Sequence, residues 1–157
     1  MLTGVDNAAW LTYFTLSNYW TALVPSTSAT VLAGTLAVTL TRRGLARRRA
    51  AAATVVWATL LVASFAVAGR AGLGTLLTAA FALQVSPSLW TAYRTERPTG
   101  ISRGTWLLIL GELSCWTAFG LHRTDPRLIA LGVTGITAST LMLARIRQTR
   151  REPAWAG

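Results

Sequence analysis

Charged residues punctuate this chain at intervals that match the thickness of a bilayer. From Ala50 to Gly69, and again from Ala71 to Tyr93, no side chain carries a charge, and the runs are bounded by Arg49, Arg70 and Arg94. Crossing roughly 30 Å of hydrocarbon takes about 20 mostly apolar residues, and every ionised group inside is costly. Both runs therefore predict membrane-spanning helices. A third run, between Arg103 and Arg123, is interrupted only by Glu112, and a fourth extends from Leu128 to Ala144. Upstream, Asn7 to Thr41 is uncharged, too long for one upright helix and marginal for two with a turn around Pro25-Ser26-Thr27-Ser28. The pattern there predicts an interfacial or kinked lead-in over about 9–21 and a span over about 22–40, five spans in all.

Composition agrees with this pattern. Of all residues 52% are hydrophobic and 13% charged, and the mean hydropathy is +0.45, as expected of an all-α integral membrane protein. The net charge of +10 raises nucleic acid as a partner, and its placement argues against that. All fifteen basic residues are arginine. Twelve fall in alternate connections: Arg42, Arg43, Arg47, Arg48 and Arg49; Arg94, Arg97 and Arg103; and Arg145, Arg147, Arg150 and Arg151. The intervening connections hold Arg70, Arg123 and Arg127. This asymmetry predicts the N-terminus outside, the C-terminus in the cytoplasm, and a multi-pass protein of the cell's inner (plasma) membrane. The arginines then serve as topology signals and contacts to membrane lipid, with no nucleic acid partner.

Soluble enzyme chemistry finds little footing. The single cysteine, Cys115, falls inside a predicted span, and there is no metal-type Cys/His spacing, phosphate loop, Gly-x-Ser-x-Gly elbow or His-Glu-x-x-His pair. Neither a cofactor nor a metal is expected, nor an enzyme. The N-terminus lacks a basic region ahead of a short apolar core, so the first span is expected to stay in the mature chain. Glu112 is the candidate that the spans themselves single out. A carboxyl within a span can carry a proton or hydrogen-bond a polyol, or it can be protonated and tied to a neighbouring helix. It precedes Trp116 by one turn, which puts the two on one face.

Between Gly72 and Arg147 a string of motifs recurs in order: Pro87-Ser88-Leu89, Tyr93-Arg94-Thr95, Gly100-Ile101-Ser102, Leu113-Ser114-Cys115-Trp116, Phe119-Gly120-Leu121, Asp125, Leu128-Ile129-Ala130 and Gly135. Their order and spacing resemble the PQ-loop family and, within it, the bacterial SemiSWEET sugar transporters. The resemblance implies a triple-helix bundle that cannot enclose a pathway alone, so two copies pair as a homodimer and alternate between outward-open and inward-open forms. It divides the chain into an N-terminal membrane segment (1–70) with the lead-in helix and two extra spans, a SemiSWEET-like bundle (71–147) and a cytoplasmic tail (148–157).

By the same resemblance Pro87 and Ser88 form the hinge, with Ser88 standing where the family usually has glutamine, and Tyr93 and Asp125 are gate candidates. A membrane proline also occurs without any such role. Asp125 lies with His122 and Arg123 in a short outer loop, where an ion pair across the dimer competes with a plain solvated position. Trp116 matches the family's pocket tryptophan, whose indole can stack on a sugar ring while its N–H donates. An interfacial or packing role is the alternative. Gly132 occupies the position of the family's sugar-binding asparagine, a departure that leaves Thr134, Thr137 or Ser139 to supply hydroxyls, while Gly132, Gly135 and Ser139 also suit close helix packing.

The expected function is transport of a small polar solute, a sugar by resemblance. Two alternatives stay open: a non-transporting accessory or receptor subunit, and a small membrane enzyme such as an isoprenoid cyclase using Glu112 as acid. In the N-terminal segment Pro25-Ser26 and Trp57 echo Pro87-Ser88 and Trp116, but the intervening match is poor. An added helical hairpin beside the bundle is the simpler expectation.

Overall fold

A computed structural model describes residues 2–43, 48–95 and 102–151. Gly100 and Ile101 of the motif string, Arg47, Arg97 and the tail beyond Arg151 lie outside these residues. The described chain is helical: α1 (Leu2–Leu16), α2 (Trp20–Arg42), α3 (Arg48–Arg94), α4 (Arg103–Arg123) and α5 (Pro126–Arg151). Four of these, α2 to α5, are long and apolar enough to cross a membrane, which makes this a multi-pass membrane protein. Large apolar side chains face outward along them, Val24, Leu32, Val62 and Leu108 among others, as a hydrocarbon surrounding permits. The helices pack as two compact units, Met1–Leu77 and Thr78–Gly157.

In the first unit the long uncharged stretch divides at Ser17-Asn18-Tyr19, and Pro25 sits inside α2. The expected lead-in over 9–21 is thereby corrected, since α1 ends at Leu16, while α2 contains the expected span over 22–40. Asn18 supplies the reason, with φ 56° in the left-handed region that asparagine tolerates better than most residues. The Tyr19 N–H then donates to Phe14 O at 2.9 Å and the Asn18 N–H to Thr15 O at 3.1 Å, the two bonds of a Schellman stop. Pro25, by contrast, only deletes one bond from a helix that continues around it. The turn folds α1 back along α2, where Gly4 faces Ala33. The rings of Trp10, Tyr13, Phe14 and Tyr19 cluster near the turn with centroids 5.5 to 6.5 Å apart.

α3 spans 47 residues but is not one rod, because Ala68 (φ −128°, ψ 15°) and Gly69 (φ 57°, ψ −148°) leave helical geometry. The Gly69 combination is open essentially to glycine alone. Past this break Gly72 lies against the Ser64 carbonyl, eight residues earlier, with no room for a Cβ. In a straight helix eight residues advance about 12 Å, so the chain turns sharply here. α3 is thus two arms, 48–67 and 70–94, each of spanning length, and Arg70 marks the turn as the charge spacing indicated. From the first arm the Trp57 indole N–H donates to Asp6 Oδ1 of α1 at 2.6 Å. An apolar cavity of about 240 Å³ runs alongside, between Val5, Ala8 and Thr12 on one wall and Ala58, Leu61 and Phe65 on the other.

The second unit holds residues 78–94 of the second arm, α4 and α5. α4 opens on Ser102, whose Oγ accepts from the Thr105 N–H at 3.4 Å, and closes in a second Schellman stop. There Asp125 N–H donates to Gly120 O at 2.8 Å and Thr124 N–H to Leu121 O at 3.2 Å. Thr124 takes φ 50° to do so, which a β-branched residue adopts only under strain. Asp125 then starts α5: its Oδ1 accepts from the Arg127 N–H at 3.1 Å, and Pro126 follows at the first helical position. Leu128, Leu131, Gly132, Gly135, Ala138, Ser139, Met142 and Ile146 form a buried stripe at helical spacing, so α5 is the core helix of this unit.

Candidate functional site

α5 meets both of its neighbours, by different chemistry. Against α4 the contact is steric. A Cβ at Gly132 would overlap Thr117 Oγ1 and sit 2.8 Å from Leu113 O and 2.9 Å from Thr117 N, and one at Gly135 would overlap the Leu113 side chain. Gly120 of α4 has the same relation to Leu128 and Ile129 of α5. Small residues let two backbones approach in a membrane, where lipid is as apolar as leucine and no hydrophobic force drives helices together. Against the second arm of α3 the contact is polar. Thr78 Oγ1 donates to Arg127 O at 3.2 Å near one end. Near the other, Tyr93 Oη donates to Leu141 O at 3.0 Å, while Arg145 donates from Nε to Ala92 O and from Nη2 to Thr95 O, both at 3.0 Å. The Arg145 guanidinium also lies 5.9 Å from the centre of the Tyr93 ring.

These contacts locate the sequence candidates. Pro87 and Ser88 are exposed on the second arm of α3, two turns before the Arg145 attachment, and Tyr93 belongs to that attachment. Ser86, beside the proline, donates its hydroxyl back to Ala82 O at 2.7 Å. Pro87 has no N–H to offer Leu83 O, so this stretch of helix is short of one main-chain bond. Glu112 is exposed midway along α4. Trp116, one turn on, is half-buried and meets Phe119 edge to face, with centroids 6.1 Å apart at 87°. Glu112, Trp116 and Phe119 therefore share one flank of α4.

Gly132 is buried at the α4 crossing. Thr134 is half-buried and, two residues on, projects from roughly the opposite side of α5, about 200° around the helix. The two candidates are thus not brought together, as residues two apart in a helix never face each other. Thr137 is exposed and spends its hydroxyl on Val133 O at 2.8 Å. Ser139 is 0% exposed, and its Oγ has no hydrogen-bond partner among the described residues. Asp125 is only 5% exposed and caps α5.

Two features escaped sequence reasoning. Arg145 reads as one more positive-inside charge, although its place near the end of a span in a helix of buried small residues made it the arginine best able to reach a neighbouring helix. The Asp6–Trp57 bond joins residues 51 apart, and no local pattern announces it. Among the described residues no group of three or more His, Cys, Asp or Glu side chains could hold a metal ion. No known protein family, curated protein or solved structure matches the chain.

Proposed function

We propose that this protein is a transporter that moves a small polar solute, a sugar in the first instance, by alternating access across a homodimer in the plasma membrane. The observation that carries the reading is the second arm of α3, which is weakened at Pro87 and fastened to α5 two turns later by side chains that can let go. A helix with a soft point and a releasable end is what a moving wall of a pathway requires. The flank of Glu112, Trp116 and Phe119 offers the recognition chemistry, with aromatic faces for the apolar side of a sugar ring and a carboxylate for its hydroxyls. A second copy would also shield Glu112, whose exposure midway along a spanning helix is costly in lipid. By the charge asymmetry, the Arg145 attachment lies at the cytoplasmic end.

The test is uptake of labelled glucose, sucrose and a panel of other polar solutes into proteoliposomes, comparing the wild type with Trp116→Ala and Glu112→Gln. Saturable uptake that Trp116→Ala abolishes is expected, and sensitivity to Glu112→Gln identifies proton linkage. A folded dimer that moves none of these solutes sinks the reading. One observation favours a second one, a non-transporting accessory or receptor subunit. The position of the family's asparagine is Gly132, closed against the α4 backbone and unable to offer a side-chain hydrogen bond. Stable co-purification with a different membrane protein, in place of self-pairing, is what that reading expects.

A further inference from the structure

We infer that the first unit carries a binding site for a lipophilic cation, with the Asp6 carboxylate and the Trp57 indole at its head and the apolar cavity between α1 and α3 receiving the rest of the ligand. The site stands apart from the transport reading, since none of its residues belongs to the flank of Glu112, Trp116 and Phe119.

Asp6 precedes the uncharged stretch that begins at Asn7, so by charge spacing it reads as lying outside the hydrocarbon. The fold moves it. α1 turns back along α2, which brings Gly4 level with Ala33, and Asp6 meets Trp57 halfway along the first arm of α3 (48–67). That arm has spanning length, so the carboxylate is held near mid-depth in the membrane. Ionised groups at that depth are costly and mark ligand or ion sites by default. The indole bond to Oδ1 is short, 2.6 Å, as bonds to a charged acceptor are. It orients the carboxylate but brings no charge. A carboxylate offers about four lone-pair sites, so a cation can be held beside the indole without displacing it. Indole is also the best aromatic partner for a cation.

The cavity begins where this pair ends. Ala9 follows Asp6 by three residues and Leu61 follows Trp57 by four, so each lies one turn on along the same helix face, and both line the cavity. From there it extends past Phe65 to Leu73, beyond the turn at Gly69. Thr12, the polar residue of the lining, donates its hydroxyl to Ala8 O at 2.9 Å, so the walls present carbon. At about 240 Å³ the space exceeds the roughly 150 Å³ that takes up benzene in an engineered cavity, and it suits a phenyl ring with a short alkyl chain. Val62 is 68% and Phe65 41% exposed, so the cavity opens sideways and a ligand dissolved in the bilayer can enter. Charge complementarity decides the occupant. A lipid acyl chain fits the walls but brings nothing to the carboxylate, whereas a cation with an apolar body uses both.

The experiment is equilibrium binding of tritiated phenylpropyltrimethylammonium to the full-length protein in lipid nanodiscs, with empty nanodiscs giving the background of partition into lipid. Saturable binding is expected. Asp6→Asn keeps an acceptor for the Trp57 indole and removes the charge. It should weaken binding about ten- to a hundred-fold, the range for losing an interaction with a charged group. Ala58→Phe fills the cavity from the α3 wall and should abolish binding. Where circular dichroism shows that variant unfolded, Ala9→Leu fills the cavity from the α1 wall instead. Absence of saturable binding by the wild type overturns the proposal. So does binding that Asp6→Asn leaves intact: lost on filling the cavity, it marks a groove for uncharged chains, and lost in Glu112→Gln, it belongs to the second unit. Binding that Asp6→Asn weakens but a filled cavity leaves intact is ion pairing at the carboxylate alone, and overturns the proposal equally.

Discussion

Replacing Gly132 by alanine sets two effects of opposite sign against each other. In a helix interior alanine is favoured over glycine by about 1 kcal/mol, chiefly because glycine loses more backbone freedom on folding. Against that, the new methyl would lie 2.8 Å from Leu113 O and 2.9 Å from Thr117 N, and would overlap Thr117 Oγ1. The hydroxyl can rotate away, at the loss of its 2.7 Å bond to Leu113 O, worth about 0.5–1.5 kcal/mol. The two main-chain atoms cannot rotate, so α4 and α5 must separate, and forced overpacking of this kind costs about 1–3 kcal/mol. The clash wins, and a net destabilisation of about 1–3 kcal/mol is expected from these opposing magnitudes. Reversible unfolding in mixed micelles, followed by circular dichroism, measures it. Gly111→Ala is the internal control: a Cβ there meets nothing within 4 Å, so only the propensity term operates and the protein should gain stability. If Gly132→Ala proves as stable as Gly111→Ala, the close α4–α5 crossing is refuted. The same geometry forbids Gly132→Asn, so an asparagine placed there should prevent folding.

Three further outcomes follow from particular backbone and side-chain geometries. Thr124→Gly relieves a left-handed threonine, φ 50°, and should raise stability by about 1 kcal/mol, read in the same unfolding assay. Gly69→Ala, at φ 57° and ψ −148°, should lower it by about 1–3 kcal/mol and make the turn between the arms of α3 more susceptible to protease. Trp57→Phe removes the donor to Asp6 Oδ1 and leaves the carboxylate short of that bond. It should loosen α1, seen as faster amide exchange over Leu2–Leu16, while exchange in the second unit stays unchanged.

How far the site could be read from sequence varies by residue. Pro87 removes a main-chain donor wherever it stands in a helix, so its local effect can be read from the sequence. The i, i+4 spacing of Glu112 and Trp116 likewise fixed a shared flank before any coordinates. That Gly132 and Thr134 face roughly opposite sides of α5 follows from their spacing alone, about 200° around the helix. What could not be read was the partner of each residue. Asp125 looks the same in sequence whether solvated, ion-paired or capping, and Arg145 looks like its fourteen fellow arginines.

The sequence by itself determined the helical, multi-pass character of this protein and the lengths of its long helices, because burying charge in hydrocarbon is so costly that charge spacing must follow membrane thickness. It also located the turn at Arg70. It did not locate the turn at Asn18, where no charge or proline marks the break and a left-handed asparagine with two Schellman bonds makes it. Only the tertiary structure decided which face of α5 closes on α4 through glycine and which end is fastened to α3 by Arg145. Those contacts join positions far apart in the chain, and their strength depends on distances of a few tenths of an ångström that no local pattern encodes.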